Sequence, residues 1–433
     1  MTRDDLNAVS ERRGAELSDR PRPRLVLSRL SAMMFLEFFV WGAWYVTVGN
    51  YMGAHHMDRH VFWAYTVGPL AAIASPFFLG MVADRFFATE RVLAVMHLIG
   101  GGALLAAPMF APATADGSPW PFVGLLLVHM LCYMPTLGLT NTLAFHNLTS
   151  RERQFPVIRV FGTIGWIVAN IVVSRLLEAD KTRTQFYVAG GAGLLLGVFS
   201  FLLPHTPAPA RGRAVSVRDV LGLDALVLMK DRSFAVFLVS SFLICIPLAA
   251  YYNYAPIFAD AAGFHNVAFS MSFGQMMEVI FMLLMPVFFG WLGVKWMLLV
   301  GMFAWILRYG LFAAAGDSGA AWMVLGGILL HGICYDFFFV TGFIYVDRQA
   351  KARIRGQAQG LLVLVTQGLG MLIGAQLIGR LVNYCTGPSY DGLLAAANQL
   401  KQQALTAAGA EAARLWNLWE RTAMAVLAAS SPS

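Results

Sequence analysis

The sequence predicts an all-α protein that crosses a membrane many times, and three observations indicate this fold class. Of the 433 residues, 58% are hydrophobic and only 13% are charged, against about 45–50% and about 25% in soluble domains. The mean hydropathy is +0.63. The apolar residues are grouped into runs of about 20, the length that a spanning helix needs. So few charges could not cover a soluble globule, which excludes a soluble enzyme, a disordered chain and a nucleic-acid-binding protein.

The apolar runs can be placed one by one. Eleven are long enough to span a bilayer, and a weaker twelfth candidate at 412–429 is interrupted by Asn417, Glu420 and Arg421. We therefore expect a twelfth helix that is short or truncated and spans poorly. The eleven predicted spans are 27–52, 61–83, 91–111, 121–145, 155–177, 185–204, 233–259, 268–291, 296–315, 320–346 and 356–382.

The longest gap between the eleven predicted spans, residues 205–232, follows the sixth span and carries five Lys or Arg residues. We therefore divide the chain into a tail (1–26), a six-helix bundle (27–204), a linker (205–232) and a second bundle (233–433). Lys and Arg are more abundant on the linker's side of the spans, which predicts a cytoplasmic linker and a cytoplasmic N-terminus. Two such bundles are typical of secondary transporters, whose substrate site lies between the halves. A six-span protein fused to an unrelated partner fits the linker position less well.

Neither the termini nor the cysteines suggest another class. The first 24 residues carry charges of both signs and no apolar core, so they are not a secretory signal. Cys132, Cys245, Cys334 and Cys385 have no paired spacing, so neither disulfides nor a metal site is predicted. No hydrolase, nucleotide-binding or metalloprotease motif occurs, so we expect neither an enzyme nor a cofactor.

Five Asp, Glu or Arg side chains fall more than three residues from the ends of predicted spans, where each is costly and therefore a functional hypothesis. They are Glu37, Arg159, Glu278, Arg308 and Asp336. Gln275 and Glu278 share one helix face at a spacing of three, which suits recognition of a polar solute, with a structural hydrogen bond as the alternative. Glu37 is either a coupling acid or a partner for an Arg or His across the bundle.

Two further helix faces are candidate walls of a solute site. Arg159, Thr163 and Trp166 lie on one stripe of the fifth span, although Arg159 could instead cap the preceding loop at the interface. In the tenth span His331 and Tyr335 share a face beside Asp336. Arg308 is a candidate ion-pair partner for Asp336, and that pair could be purely structural.

Short motifs carry a family resemblance. The segment from Gly80 to Arg85, with Asp84, resembles the loop 2–3 signature of the major facilitator superfamily. From Leu27 to Gly379 the chain more specifically resembles the bacterial nucleoside:proton symporters. The matching segments are Trp41-Gly42-Ala43-Trp44, Tyr133 to Thr142, Phe155 to Gly165, Leu221 to Ala225, Ala304 to Arg308, and Asp336-Phe337-Phe338.

The resemblance implies a fold, a function and a set of site residues. The fold would be that of the major facilitators, with two pseudo-symmetric six-helix bundles. The substrate residues would be Arg159, Thr163 and Trp166; Gln275 and Glu278; and His331, Tyr335 and Asp336. The family's Tyr and Phe in the tenth span are His331 and Tyr335 here. In the seventh span the family's polar pair does not align, and Tyr252 and Asn253 are the candidates.

On this basis we expect a monomeric carrier in the bacterial inner membrane that imports nucleosides with protons by alternating access. Its proton would bind Glu278, Asp336 or Glu37. Two rival hypotheses remain: a carrier of another small polar solute such as a sugar, and a non-transporting receptor or truncated inactive homologue.

Overall fold

A computed structural model describes residues 23–78, 87–114, 116–208, 223–351, 354–407 and 409–430. The N-terminal tail to residue 22, the loop 2–3 signature with Gly80, Asp84 and Arg85, and linker residues 209–222 lie outside these ranges. Within them the chain is helical, and eight helices are long and apolar enough to cross a membrane by length and composition.

Six long helices follow one another in the described part of the first half. They are α1 (Pro23–Tyr45, continued by Val48–Ala54), α2 (Val61–Phe78), α3 (Thr89–Ala106), α4 (Trp120–Asn147), α5 (Arg151–Asn170, continued by a π-helical turn, Ile171–Leu176) and α6 (Thr184–Ser200). Their positions agree with the six predicted spans.

The second half begins with α7 (Arg232–Ala261), which is followed by a continuous helical stretch, Val267–Ser318. At about 1.5 Å per residue this stretch would be more than twice the thickness of a bilayer core. Its helical conformation is interrupted at Gly293, whose φ of 66° and ψ of 175° suit a residue without a Cβ. The stretch therefore comprises two helices, α8 (267–292) and α9 (294–318), as the sequence predicts.

The last helices contain irregular turns. The α10 helix runs through Ala321–Leu329, His331–Tyr335, a π-helical turn at Asp336–Val340 and Thr341–Gln349. The α11 helix runs through Arg355–Val363, a π-helical turn at Leu364–Gly370 and Met371–Thr406.

The final helix, α12 (Ala410–Ser430), packs against α11. It is not among the eight helices that are apolar enough to span. Trp416 and Trp419 form an edge-to-face pair on it, and the Lys401 ammonium of α11 lies 5.8 Å from the Trp419 ring. That this segment spans the membrane poorly stays a prediction.

Packing in the two halves corresponds only in part. In the first half α1 packs on α5 and α6, and α3 on α4 and α6; in the second, α7 packs on α11, and α8 and α9 on α10. The last helices differ most, because α6 packs on α1 and α3 whereas α12 packs on α11. The α1–α5 approach is so close that a Cβ on Gly165 would overlap the Phe35 carbonyl oxygen. The halves meet where α2 packs on α11, α5 on α8, and the Val48–Ala54 segment of α1 on α7.

Candidate functional site

A cavity of about 150 Å³ lies where the two halves meet. It is lined by aromatic side chains and a few polar ones, contributed by α1 and α5 on one side and by α7, α8, α10 and α11 on the other. The lining residues are Phe38, Trp41, Tyr45, Arg159, Thr163, Trp166, Tyr252, Gln275, Glu278, His331, Tyr335, Gln367 and Met371.

A larger cavity of about 340 Å³ lies between α7, α9 and α11. It is lined almost wholly by apolar and aromatic side chains, and the polar side-chain groups of its lining residues are tyrosine hydroxyls and the Cys385 thiol. A polar solute needs hydrogen-bond partners for the groups that it buries. The smaller cavity between the halves is therefore the candidate site.

Eight of the ten substrate residues predicted from the sequence line this smaller cavity. Asn253 and Asp336 do not: both side chains are fully buried away from it. The sequence analysis in turn missed Phe38, Trp41, Tyr45, Gln367 and Met371. Spacings of three and four place Phe38, Trp41 and Tyr45 on one face of α1, and this stripe was the signal that could have identified them.

The α5 wall combines a cation with aromatic rings. Arg159 is exposed towards the cavity, and its guanidinium carbon lies 4.3 Å from the centre of the Phe38 ring. It therefore faces the cavity rather than serving only as a cap for the preceding loop. Trp166 meets Trp41 edge to face at 5.4 Å. The Asn170 amide, oriented to satisfy both of its ends, accepts from Trp166 Nε1 at 3.2 Å and so fixes the indole.

The opposite wall carries the hydrogen-bonding groups. Gln275 is buried and its Oε1 has no partner among the described residues. The Glu278 side chain is 18% exposed, and its Oε2 lies 3.9 Å from His331 Nε2, beyond hydrogen-bond distance. The His331 ring stacks on Tyr251 at 5.1 Å. The amide of Gln275, the carboxylate of Glu278 and the imidazole of His331 thus face one cavity and can form hydrogen bonds to a bound solute.

The expected ion pair between Arg308 and Asp336 is not formed. Arg308 is fully buried, with its guanidinium carbon 4.1 Å from the Tyr251 ring and 4.7 Å from the Trp305 ring. Among the described atoms, neither its three nitrogens nor either Asp336 oxygen has a hydrogen-bond partner. Asp336 begins the π-helical turn of α10, which changes the helical register from that point on. The α-helical spacing assumed from the sequence therefore does not predict the direction in which the Asp336 side chain points.

Glu37 has its partners inside the first half. Its Oε2 lies 2.8 Å from His97 Nε2, and its Oε1 accepts from the Thr136 hydroxyl at 2.6 Å. The Tyr133 hydroxyl donates to the Glu37 carbonyl oxygen at 2.8 Å. All four residues are buried. This cluster lies behind the cavity wall, one residue from Phe38 and one turn from Trp41, so it fixes the helix that carries those rings.

Comparisons with known proteins identify the family. The family model described as "Nucleoside H+ symporter" matches residues 25–397. The putative nucleoside transporter YegT of Escherichia coli (strain K12) is 41% identical over 361 residues, covering 81% of this chain and 83% of that protein. Xanthosine permease of the same organism is 34% identical over 389 residues, 85% of this chain and 90% of the permease.

A solved structure agrees over almost the whole chain. The crystal structure of the nucleoside transporter NupG superimposes with a TM-score of 0.74 at 27% identity, covering 94% of this chain and 97% of NupG. The fold is therefore that of the major facilitator transporters. From the extent of the family match and the identity to YegT and xanthosine permease, the chain belongs to the nucleoside:proton symporter family.

Proposed function

We propose that this protein imports nucleosides together with protons by alternating access. The observation that carries the proposal is the cavity between the halves, where an aromatic and cationic wall on α1 and α5 faces the amide, carboxylate and imidazole of α8 and α10. A nucleoside has a flat base with polar edges and a sugar with hydroxyls, so it needs both kinds of wall. The family membership and the nucleoside transporters among its relatives support the same substrate class.

Each wall has a role in this proposal. The rings of Trp41, Trp166 and Tyr335 stack on the base, because offset or edge-on ring contacts stabilise flat ligands. Gln275 and Glu278 bond to the polar edge of the base or to the sugar hydroxyls, and Arg159 bonds from across the cavity. Asn253 and Asp336 do not line the cavity in this arrangement, so their predicted substrate contacts would require another state of the transport cycle.

Glu278 is the proposed coupling acid. Among the residues described as lining the cavity, it has the only carboxylate. A proton on Glu278 and a nucleoside in the same cavity change each other's affinity, which is the thermodynamic requirement for coupled transport. Asp336 stays a weaker candidate, because its carboxylate is fully buried. Glu37 is weaker still, because His97 and Thr136 already hold both of its oxygens.

The proposal extends to organisation in the membrane. We infer a cytoplasmic N-terminal tail (1–26), bundles at 27–204 and 233–433, and a cytoplasmic linker (205–232), in a monomer of the bacterial inner membrane that needs no cofactor. The distribution of Lys and Arg supports this orientation.

The test is uptake by reconstituted vesicles. Purified protein in proteoliposomes is given labelled uridine, adenosine or a sugar, with and without an imposed pH gradient. We expect both nucleosides to accumulate when the outside is acidic, and the sugar not to. Accumulation of the sugar instead would support the rival carrier, and no uptake by protein that still binds nucleosides would support a receptor. Arg159→Ala should weaken nucleoside binding, whereas Ile306→Ala on the exposed face of α9 serves as a matched control.

A further inference from the structure

The outer ends of the helices are joined across the two halves by polar contacts. Lys181 Nζ lies 2.7 Å from Asp260 Oδ2, and the Asn50 amide donates to the Pro256 carbonyl oxygen at 3.2 Å. The Asp180 carboxylate accepts a hydrogen bond from the Val267 backbone N–H at 2.7 Å. These contacts close the cavity towards the side on which the α5–α6 and α7–α8 loops lie, which is the outer side in the proposed orientation.

The Asp180–Val267 contact differs from the other two because in it the Asp180 side chain caps a helix of the opposite half. Val267 is the first residue of the helical stretch that contains α8, and its N–H has no partner within the helix. The residue before it, Asn266, makes no side-chain capping bond although asparagine is a favourable cap. An acidic side chain at a helix N-terminus satisfies the free N–H groups and the positive end of the helix dipole. The cap of α8 is therefore supplied by the first half.

The loop that presents Asp180 is itself held rigidly. The Ser174 hydroxyl donates to Asp180 Oδ2 at 2.7 Å, and the buried Gln185 amide donates to the Asp180 carbonyl oxygen at 2.9 Å. Gln185 Oε1 accepts from the Thr47 hydroxyl of α1 at 3.2 Å. Glu178 has a positive φ of 49°, which turns the chain sharply just before Asp180. The carboxylate is only 6% exposed and its position is fixed by the first half.

We infer that Asp180 is a positioning residue of the transport cycle, which holds the outer end of α8 against the first half while the outer passage is closed and releases it when that passage opens. The same helix carries Gln275 and Glu278, about 12 and 17 Å further along its axis at 1.5 Å per residue. Movement of the capped end therefore moves the hydrogen-bonding wall of the cavity. The inference rests on the proposed function only in that it assumes an outer passage that opens and closes.

The exposed Lys181–Asp260 pair provides an internal contrast. Its side chains are 51% and 28% exposed, and ion pairs in contact with water contribute little. Asp180, by contrast, is only 6% exposed and accepts hydrogen bonds from the Ser174 hydroxyl and the Val267 N–H, and a buried donor that loses its partner is costly. The buried cap, rather than the exposed pair joining the same two halves, is thus the contact that should govern closure.

Labelling from outside tests this inference. Cys132, Cys245, Cys334 and Cys385 are replaced, and a reporter cysteine is placed at Val46. This buried residue lies in the turn between the two segments of α1 and packs against the second half. An impermeant thiol reagent should reach it only when the outer passage is open. Removing a hydrogen-bonded buried carboxylate should increase the labelling rate about tenfold in Asp180→Ala. Asp180→Asn, which keeps an acceptor oxygen, should restore most of the protection.

Three further variants complete the design. Asp116→Asn, at an exposed carboxylate of another outer loop, should label like the parent, and Lys181→Ala should change labelling less than twofold. Ser174→Ala, which removes a donor without changing the charge, should lie between the parent and Asp180→Ala. Gel filtration and nucleoside binding are measured on the same samples. An error in the proposed substrate is thereby distinguished from an error in the role assigned to the Asp180–Val267 contact. If folded Asp180→Ala labels no faster than Asp116→Asn, the inference is wrong.

Discussion

The guanidinium carbon of Arg308 lies 4.1 Å from the centre of the Tyr251 ring, and the guanidinium group makes no ion pair with Asp336. A buried Arg usually has a carboxylate partner, because an unpaired charge in the interior is costly. Here the faces of Tyr251 and Trp305 supply a cation–π environment, an interaction that is worth about 2 kcal/mol when desolvated.

This arrangement predicts that Arg308 and Asp336 contribute to stability independently. In a double-mutant cycle with Arg308→Met and Asp336→Asn, the coupling energy should be below about 0.5 kcal/mol, as for residues without a shared contact. The free energy of unfolding in mixed micelles provides the measurement. A coupling of about 1 kcal/mol or more would show that the two side chains form an ion pair after all.

The position of Glu278 in the cavity predicts that its replacement separates binding from coupling. Glu278→Gln keeps an oxygen that can accept hydrogen bonds, so nucleoside binding should be retained in part. The amide cannot take up and release a proton, so accumulation driven by a pH gradient should be lost while exchange of internal for external nucleoside continues. The comparison is uptake with and without a gradient in reconstituted vesicles. If Glu278→Gln accumulates nucleoside in response to the gradient as the parent does, Glu278 is not the coupling acid and Asp336 becomes the candidate.

The contacts of Glu37 predict that the same substitution, Glu to Gln, has the opposite effect on gradient-driven accumulation when it is made in the first half. Both oxygens of the buried Glu37 carboxylate already have partners, His97 Nε2 at 2.8 Å and the Thr136 hydroxyl at 2.6 Å. Glu37→Gln can keep the bonds to Thr136 and His97, so gradient-driven accumulation should persist. Glu37→Leu leaves both partners unsatisfied and should lower the free energy of unfolding by about 1–3 kcal/mol. Loss of accumulation in stable Glu37→Gln would make Glu37 a coupling acid.

The burial of Asp180 predicts that a lower pH on the outer side favours the closed state of the outer passage. In the closed state burial raises the pKa of its carboxyl above the usual range; in an open passage water would return it towards about 3.9. Closure therefore takes up a proton. Acidification should slow labelling of a cysteine at Val46 as the pH falls through the closed-state pKa, and the effect should level off below the open-state pKa.

The groups around Asp180 define the control for this measurement. Lys181 adjoins it in the same loop, Asp260 faces it from α7, and Ser174 and Val267 donate to it. Because thiol reactivity itself depends on pH, labelling is normalised to a free thiol and compared with Asp180→Asn. A pH dependence that is unchanged in Asp180→Asn would exclude the Asp180 carboxyl as its source.

The sequence by itself determined the membrane class, the positions of the helices α1 to α11 and most of the candidate site. The reason is physical: a bilayer requires about 20 apolar residues per span and penalises ionisable groups inside them. Any charge or amide that remains in a span is therefore conspicuous. Arg159, Gln275 and Glu278 were recognisable for this reason, and helical spacing alone placed Gln275 and Glu278 on one face.

Only the tertiary structure decided which polar groups meet. Glu37 and His97 are 60 residues apart and Asp180 and Val267 are 87 apart, so no local pattern could pair them. The π-helical turn that begins at Asp336 changes the register from which its direction would have been inferred. Arg308 lies over ring faces instead of beside a carboxylate because the packing of α7 against α9 brings Tyr251 to it. Helical periodicity specifies which side chains share a face, whereas the partner of that face depends on how distant helices pack.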